Sequence, residues 1–479
     1  MTLPSKPPTW AAVAGTDARL KALWQSVGLP VDSLWPLELT GSDPALPSSF
    51  AVGSAAQLSM AAAALAAADI GRYRNGLRQQ VQLDMRHAAL ECCSHFLIDG
   101  VAPNVWDKLA GLYACGPDAA AGWLRLHTNF AHHRDGVLRL LKLAEGPATE
   151  RAAVAEALKR WDALSFEQAA TDAGLVVAAL RSFQEWDAHP QSQAIAAQPL
   201  VGIERIGDAP PLALPPLPLT GSPLSGLRVL DLTRILAGPF CGRTLAAYGA
   251  DVMLVNAPHL PNIEAIADTS RGKLSALADL RTAADRDAMR GVLCEAHVFV
   301  QGYRPGALAA LGFAPEAVAQ TRPGIVMVSL SAYGEAGPWA GKRGFDSLLQ
   351  TATGFNHAEA QAAGEATPRA LPMQILDIAS GALMALGAQA ALLRQQREGG
   401  SWQVRVSLAR TGLWLRELGR VPNGFEAPAA DFSGVMETVA SGWGALSAVR
   451  PAAQFSHTPP GYRRPSMPPG SHALAWPAG

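Results

Sequence analysis

Asp377 lies in LPMQILDIASGALMAL, where an apolar run meets a long Ala/Leu-rich helix pattern. An Asp at such a boundary reads as an N-cap, its side chain accepting from the first helical N–H groups. The same position suits chemistry. A carboxylate at a helix N-terminus is kept ionised by the dipole, and apolar neighbours desolvate it, which sharpens it as a nucleophile toward an activated acyl group. Ala379, Ser380 and Gly381 leave room there for a bulky ligand. Arginines and a lysine recur downstream of apolar strand patterns: Arg271-Gly272-Lys273, Arg304 in GYRPGAL, and Arg343 before Gly344-Phe345-Asp346. Singly, each reads as a solvated surface charge. Together they follow strands of a parallel sheet, where ligands of such sheets bind, and their convergence suits a phosphate-bearing cofactor.

The other candidates are weaker. His132-His133 and His127 lack the carboxylate or Cys spacing of a metal site and read as helix-surface histidines. Ser331 has no G-x-S-x-G around it, so a serine-hydrolase elbow is rejected.

The elements that would position these residues begin at LSGLRVLDLTRILAGPFCGRTLAAYGADVMLVNAP, from Leu224 to Pro258. It reads as strand, turn at Leu236-Ala237-Gly238-Pro239, helix ending at Gly249, and second strand. A βαβ unit this short is parallel and right-handed, a Rossmann-like start. G-x-G-x-x-G is absent, yet free N–H groups at the helix start still favour an anion. Strand and helix patterns then alternate through HVFVQGY, GIVMVSLSAYG, the helix over 378–397 and a strand from Trp402 to Leu408, which predicts an α/β fold. Earlier, a helix over 55–73 precedes a strand-like Gln80–Met85 and a helix from His87 to Phe96. GLYAC and GWLRLHT read as hairpin arms, and 130–186 as helical.

A chain of 479 residues can hold two or three cores. Its net charge of −1 gives no electrostatic reason to expect nucleic acid or an anionic membrane as the main partner. Five cysteines, an odd number with two adjacent and no C-x-x-C, fit reduced thiols in the cytoplasm. No signal-peptide layout and no uninterrupted apolar run of membrane-spanning length stands out.

The chain also matches itself without gaps at an offset of 323 residues. Arg74 falls on Arg397, Gly76 on Gly399, Gln80 on Gln403, Val81 on Val404 and Leu90 on Leu413. Two Ala-rich helices ending in Gly match readily, but the G-x-x-x-Q-V shared after each favours duplication. Ser54 occupies the place of Asp377 in the first copy.

The strings LSGLRVLDLTRILAGPF, GADVMLVNAP, RGKLSALADL, GYRPGALAALGF, GIVMVSLSAYGEAGPW, RGFDSLLQ and LDIASGALMALGAQAALL, in this order over about 224–415, resemble the family III CoA-transferases, the CaiB/BaiF family. The resemblance implies a Rossmann-like parallel-sheet large domain plus a smaller α+β domain, and an interlocked homodimer. It implies transfer of CoA between carboxylic acids, with acyl-CoA and a small carboxylic acid as partners, coenzyme A as substrate and no metal. In that mechanism Asp377 attacks the thioester, a mixed anhydride forms, and CoA returns to make an enzyme thioester. CoA contacts would fall on Ala237, Gly238, Arg271, Lys273, Tyr303, Arg304 and Arg343. An acyl-CoA isomerase or racemase and a degenerate CoA-binding protein are the alternatives. Phe345 stands where related racemases place a His base, and Asn256 where the family usually has an acidic residue.

The division expected is a wrapping segment 1–52, a degenerate first copy 53–207 holding helix, small domain and closing segment, a Pro-rich linker 208–223, the catalytic core 224–415, and an irregular closing segment 416–479. The first copy would supply the small domain to a core it does not itself complete.

Overall fold

The computed structural model describes residues 17–34 and 37–477. Residues 1–16 of the expected wrapping segment lie outside them. The described remainder of that segment forms a helix, Ala18–Ser26, and a strand, Leu37–Thr40. Leu20 and Trp24 of the helix are fully buried.

A seven-stranded sheet organises the chain. Its strands are β1 (Gly202–Gly207), β2 (Arg228–Leu232), β3 (Asp251–Asn256), β4 (Lys273–Leu277), β5 (Val298–Gln301), β6 (Val326–Ser331) and β7 (Ser401–Ser407). They run in the order β4-β3-β2-β5-β6-β7-β1. All pairs are parallel except β7 with β1. Val229, Leu230, Val298, Phe299, Val300, Val326 and Val328 are almost wholly buried, as expected of strands covered on both faces. The order reverses between β2 and β5, which opens a crevice at the carboxyl ends of those strands.

Five helices concern the site: α1 (Val52–Asn75), α2 (Ala237–Ala247), α3 (Asp346–Ala352), α4 (Ile375–Glu398) and α5 (Leu408–Glu417). Helix α4 packs between α1 and α2. Its length and apolar composition would suffice to cross a bilayer, but its entire apolar window is buried inside the protein. A helix that is apolar all round belongs in a core.

The offset of 323 found in the sequence reappears in space. It carries α1 end to end onto α4, and the strand Val81–Asp84 onto Val404–Ser407 of β7. It also carries the helix Met85–Cys92 onto the start of α5. Gly76 and Gly399, which stop the two long helices, both have positive φ. Val81–Asp84 is flanked by Leu37–Thr40 in parallel and by Ala453–Phe455 antiparallel. Strand β7 is flanked by β6 in parallel and by β1 antiparallel. The exchange is reciprocal: β1, from the first half of the chain, closes the sheet of the second half, and Ala453–Phe455, from the end, closes the sheet of the first.

Residues 96–200 form a smaller α+β unit. The expected hairpin arms are its strands Gly111–Ala114 and Trp123–Leu126, joined by Val177–Ala179. Residues 177–179 were expected within a helix, but a strand of three small or β-branched residues completes this sheet instead. The C-terminal segment is not irregular throughout. Met436–Ser441 and Gly444–Val449 form a hairpin that continues onto Phe96–Ile98. The Pro-rich stretch 208–223 is extended and tied down: Arg74 donates to the carbonyls of Pro215 and Pro223, and Gln395 to that of Pro210.

Candidate active site

Asp377 is the third residue of α4 and 7% exposed. It does not cap the helix. Gln374 takes the N-cap place, without a side-chain bond. The Asp377 backbone N–H instead donates to Oδ2 of Asp346 at 2.8 Å, and Gln350 Nε2 donates to Oδ1 of the same carboxylate at 2.6 Å. Asp346, at the start of α3, is thus an acceptor for ends of two elements. The Asp377 carboxylate makes no hydrogen bond within the described residues.

The sequence expectation of an Asp377 held ionised by the helix dipole is corrected here. Burial, and next the Asp346 charge, push the Asp377 carboxyl well above the usual carboxylate range. Burial also raises Asp346, to about 6, against the donors that favour its charged form. Those donors make Asp346 the ionised member of the pair and leave the proton on Asp377.

The ligand space expected beside Ala379, Ser380 and Gly381 is not there. All three are buried, and a Cβ on Gly381 would come within 2.3 Å of the Ala237 carbonyl. Their smallness lets α4 meet the first turn of α2. Helix α2 begins at Ala237, so Ala237 and Gly238 belong to the helix and the turn precedes them. Gly238 fits tightly against the Thr233 side chain. In that turn Ile235 has φ +78°, a rare conformation for a β-branched residue and a form of strain found at functional sites.

Two expected contact residues are placed elsewhere. Lys273 is fully buried and donates to Asp231 Oδ2 and the Pro239 carbonyl, both at 2.8 Å. Arg271 is 2% exposed and pairs with Asp268 and Glu437, with the Val449 carbonyl as a further acceptor. Both donate to partners inside the protein, so neither is free to meet a phosphate. Arg243 extends the network by pairing with Asp268 and with Glu91 of the first half.

Tyr303, Arg304 and Arg343 do come together, with Arg234, His132 and His133. Arg343 contacts His133 Nε2 at 3.2 Å and is lowered by burial and by the nearby charge of Arg304. Arg234 lies over the Phe130 ring and near Tyr303. None of Arg234, Arg304 and Arg343 has a carboxylate partner among the described residues. His127 and His133 are buried, 4% exposed each, not on a helix surface as expected. Burial, chiefly, pulls both down to about 3, so both are neutral at pH 7. His127 stacks on Phe345 at 3.8 Å. Arg125, Arg234 and Asp346 were missed as candidates, and His127 was weighed only as a metal ligand and set aside. Alternation in Trp123-Leu-Arg-Leu-His127 was the available signal for Arg125 and His127.

The smaller unit closes over this place. Trp123–Leu126 and Val177–Ala179 pack on α3, Arg181 N–H donates to the Thr351 carbonyl, and Lys342 pairs with Glu167 at 2.8 Å. A cavity of about 100 Å³ opens at the carboxyl ends of the strands, lined by Leu232, Val255, Asn256, Ala278, Tyr303 and Leu308 among others. Asn256 Oδ1 is sealed there without a hydrogen-bond partner. Among the described residues no group of three or more His, Cys, Asp or Glu is placed to hold a metal.

Residues 224–425 match CoA-transferase family III. An acyl-CoA transferase of Gibberella moniliformis is 28% identical over 370 residues, covering 69% of this chain and 64% of that one. A probable fatty acyl-CoA transferase of Mycobacterium tuberculosis, Rv3272, is 32% identical, covering 40% and 52%. A succinate–glutarate CoA-transferase of Agrobacterium fabrum is 31% identical, also covering 40% and 52%. The matches thus span about half to two thirds of these relatives' lengths. A crystal structure of Rv3272 aligns at TM-score 0.38 and 32% identity over 41% of this chain and 57% of that one. Residues 224–425 are thus the part of this chain that is similar to CoA-transferase family III.

Proposed function

We propose that the protein transfers CoA between carboxylic acids, with the Asp377 carboxylate as acyl acceptor. The observation that carries the reading is the Asp377 carboxyl itself: free of hydrogen bonds, beside Asp346, in a segment that matches the family. Once deprotonated, an Asp377 oxygen attacks the thioester carbonyl. The C–S bond breaks, a mixed anhydride forms, and the thiolate leaves. Return of that thiolate to the Asp377 carbonyl releases the first acid and makes an enzyme thioester, which the acceptor carboxylate resolves.

The remaining groups fit CoA. The apolar cavity suits a flat base, and the unpartnered Asn256 oxygen suits a hydroxyl or amine donor. Arg234, Arg304 and Arg343 suit the phosphates. The expected interlocked homodimer rests on resemblance, whereas the exchange of closing strands already occurs within one chain. We therefore assign one complete site to each chain. All five cysteines are free, in keeping with a cytoplasmic setting.

Incubation with a panel of acyl-CoAs and hydroxylamine tests this reading: mass spectrometry should find the hydroxamate at Asp377. A second reading, acyl-CoA isomerisation, draws support from the proton on Asp377 and the neutral His127 imidazole against Phe345. It requires solvent deuterium at the α-carbon without trapping at Asp377.

A further inference from the structure

Gln350 follows Asp346 by one turn of α3, is 1% exposed and has every hydrogen-bonding site of its amide engaged. Its Nε2 donates to Asp346 Oδ1 at 2.6 Å and to the Met373 carbonyl at 3.3 Å. Its Oε1 accepts from the Leu371 N–H at 3.0 Å and from Asn356 Nδ2 at 3.3 Å. Asn356, fully buried, also donates to the Arg369 carbonyl and accepts from Thr351 Oγ1. The two amides thus hold the stretch 369–373, which leads into α4 and Asp377. The Gln350 amide cannot turn over. A backbone N–H only donates and a backbone carbonyl only accepts, so Leu371 fixes its oxygen and Met373 its nitrogen. The end facing Asp346 is always a donor, and Asp346 Oδ2 meets a second donor in the Asp377 N–H. Helix α4 has no side-chain cap of its own, so Asp346 caps it from α3.

Arg125 acts on Asp346 from the strand Trp123–Leu126. Cys92, from the helix Met85–Cys92, feels the Asp346 charge and stays a thiol because burial pushes it up. Charged groups on the other elements packed here have partners of their own: Glu91 with Arg243, Glu359 with Ser48 and Ser49, Arg410 with Glu417, Arg416 with Asp187, Arg405 with Glu204 and Asp69 with Arg72. We propose that Gln350 is a positioning residue for acyl transfer: its locked amide aims the Asp346 carboxylate at the start of α4 and keeps the pair's negative charge there until Asp377 gives its proton to solvent. The inference rests on Asp377 being the acyl acceptor. Without the donor, Asp346 takes the proton more readily and Asp377 ionises more easily. With a carboxylate in place of the amide, a further negative charge opposes ionisation of Asp377.

The pH dependence of acyl transfer tests it, read as CoA released in the first turnover with acetyl-CoA, butyryl-CoA and succinyl-CoA. Gln350→Leu should move the rise with pH toward acid by about half a unit. Gln350→Glu, which keeps an oxygen for the Leu371 N–H, should move it toward alkali by about one unit. A residue that only supported the loop would lower the rate in both variants and leave the profile in place. Unshifted profiles, or shifts of the same sign, overturn the proposal. Should Gln350→Leu fail to fold, Gln350→Glu decides alone: an alkaline shift supports the role, and an unshifted or acid-shifted profile overturns it. Hydroxylamine trapping in the wild type reads the parent assignment separately. Trapping at Asp377 with unshifted variants sinks only the role of Gln350, and absence of trapping with every acyl-CoA sinks both.

Discussion

The backbone N–H of Asp377 donates to the Asp346 carboxylate at 2.8 Å, so the two side chains share one buried place and one of them is charged. Asp346, which also accepts from Gln350, keeps the charge, and Asp377 keeps the proton. Acyl transfer from acyl-CoA should therefore speed up as pH rises and Asp377 ionises. Asp346→Asn removes the neighbouring charge and lowers the proton affinity of Asp377. The rise should move toward acid by about one pH unit, measured as the pH profile of hydroxylamine-trapped Asp377. A profile that stays in place would contradict the coupling.

Asp377→Asn should lower CoA transfer by about a thousandfold or more without loss of stability, since the side chain forms no hydrogen bond. The sign with pH is definite. The folded carboxyl holds its proton above the unfolded value of about 4, so the wild type loses stability as pH rises from there through the folded pKa. Asp377→Asn lacks that loss. Urea denaturation at pH 5 and pH 8 should show the variant gaining on the wild type at the higher pH.

Lys273 distinguishes a ligand contact from a structural pair. Its ammonium lies wholly inside, on Asp231. Lys273→Met should cost about 3–5 kcal/mol by leaving Asp231 buried and alone. The double variant with Asp231→Leu should recover much of this. A change confined to KM for acyl-CoA, with denaturation unaltered, would return Lys273 to the cofactor.

Arg304→Ala and Arg343→Ala should each raise KM for acyl-CoA about tenfold, and the difference should shrink at high salt. Steady-state kinetics at two ionic strengths measure both effects. No salt dependence would mean that these arginines do not meet the phosphates.

Much of the fold could be read from local pattern. Helices α1 and α4, the hairpin arms and strands β2, β3 and β5 to β7 follow from apolar periodicity and Gly stops, whereas strand β4 was not read as one. The hairpin Met436–Val449 could not: Thr438, Val439 and Ala440 are exposed, so no apolar alternation marks it. Asp377 was legible because its segment carries a family pattern. Its proton was not, because Asp346 comes from another helix and the burial of both is tertiary. Arg125 and His127 reach the site from a unit more distant still in sequence. Lys273 misled for the opposite reason. A basic residue beside a βαβ unit looks like a phosphate ligand until its buried carboxylate partner is known.

The exchange of closing strands sets a timetable for synthesis. The strand Val81–Asp84 leaves the ribosome early, but its antiparallel neighbour Ala453–Phe455 comes near the end of the described chain. At ~5–20 residues per second the wait is on the order of tens of seconds. During it the first half carries an unpaired strand edge, the kind of surface that recruits other chains. Gln82, Asp84 and Gln80 give that edge polar side chains, and Gln80 and Gln82 both donate to Glu38 on the neighbouring strand. A nascent chain halted before residue 453 should thus be the form most prone to aggregate, and release of the last strand the event that ends the risk.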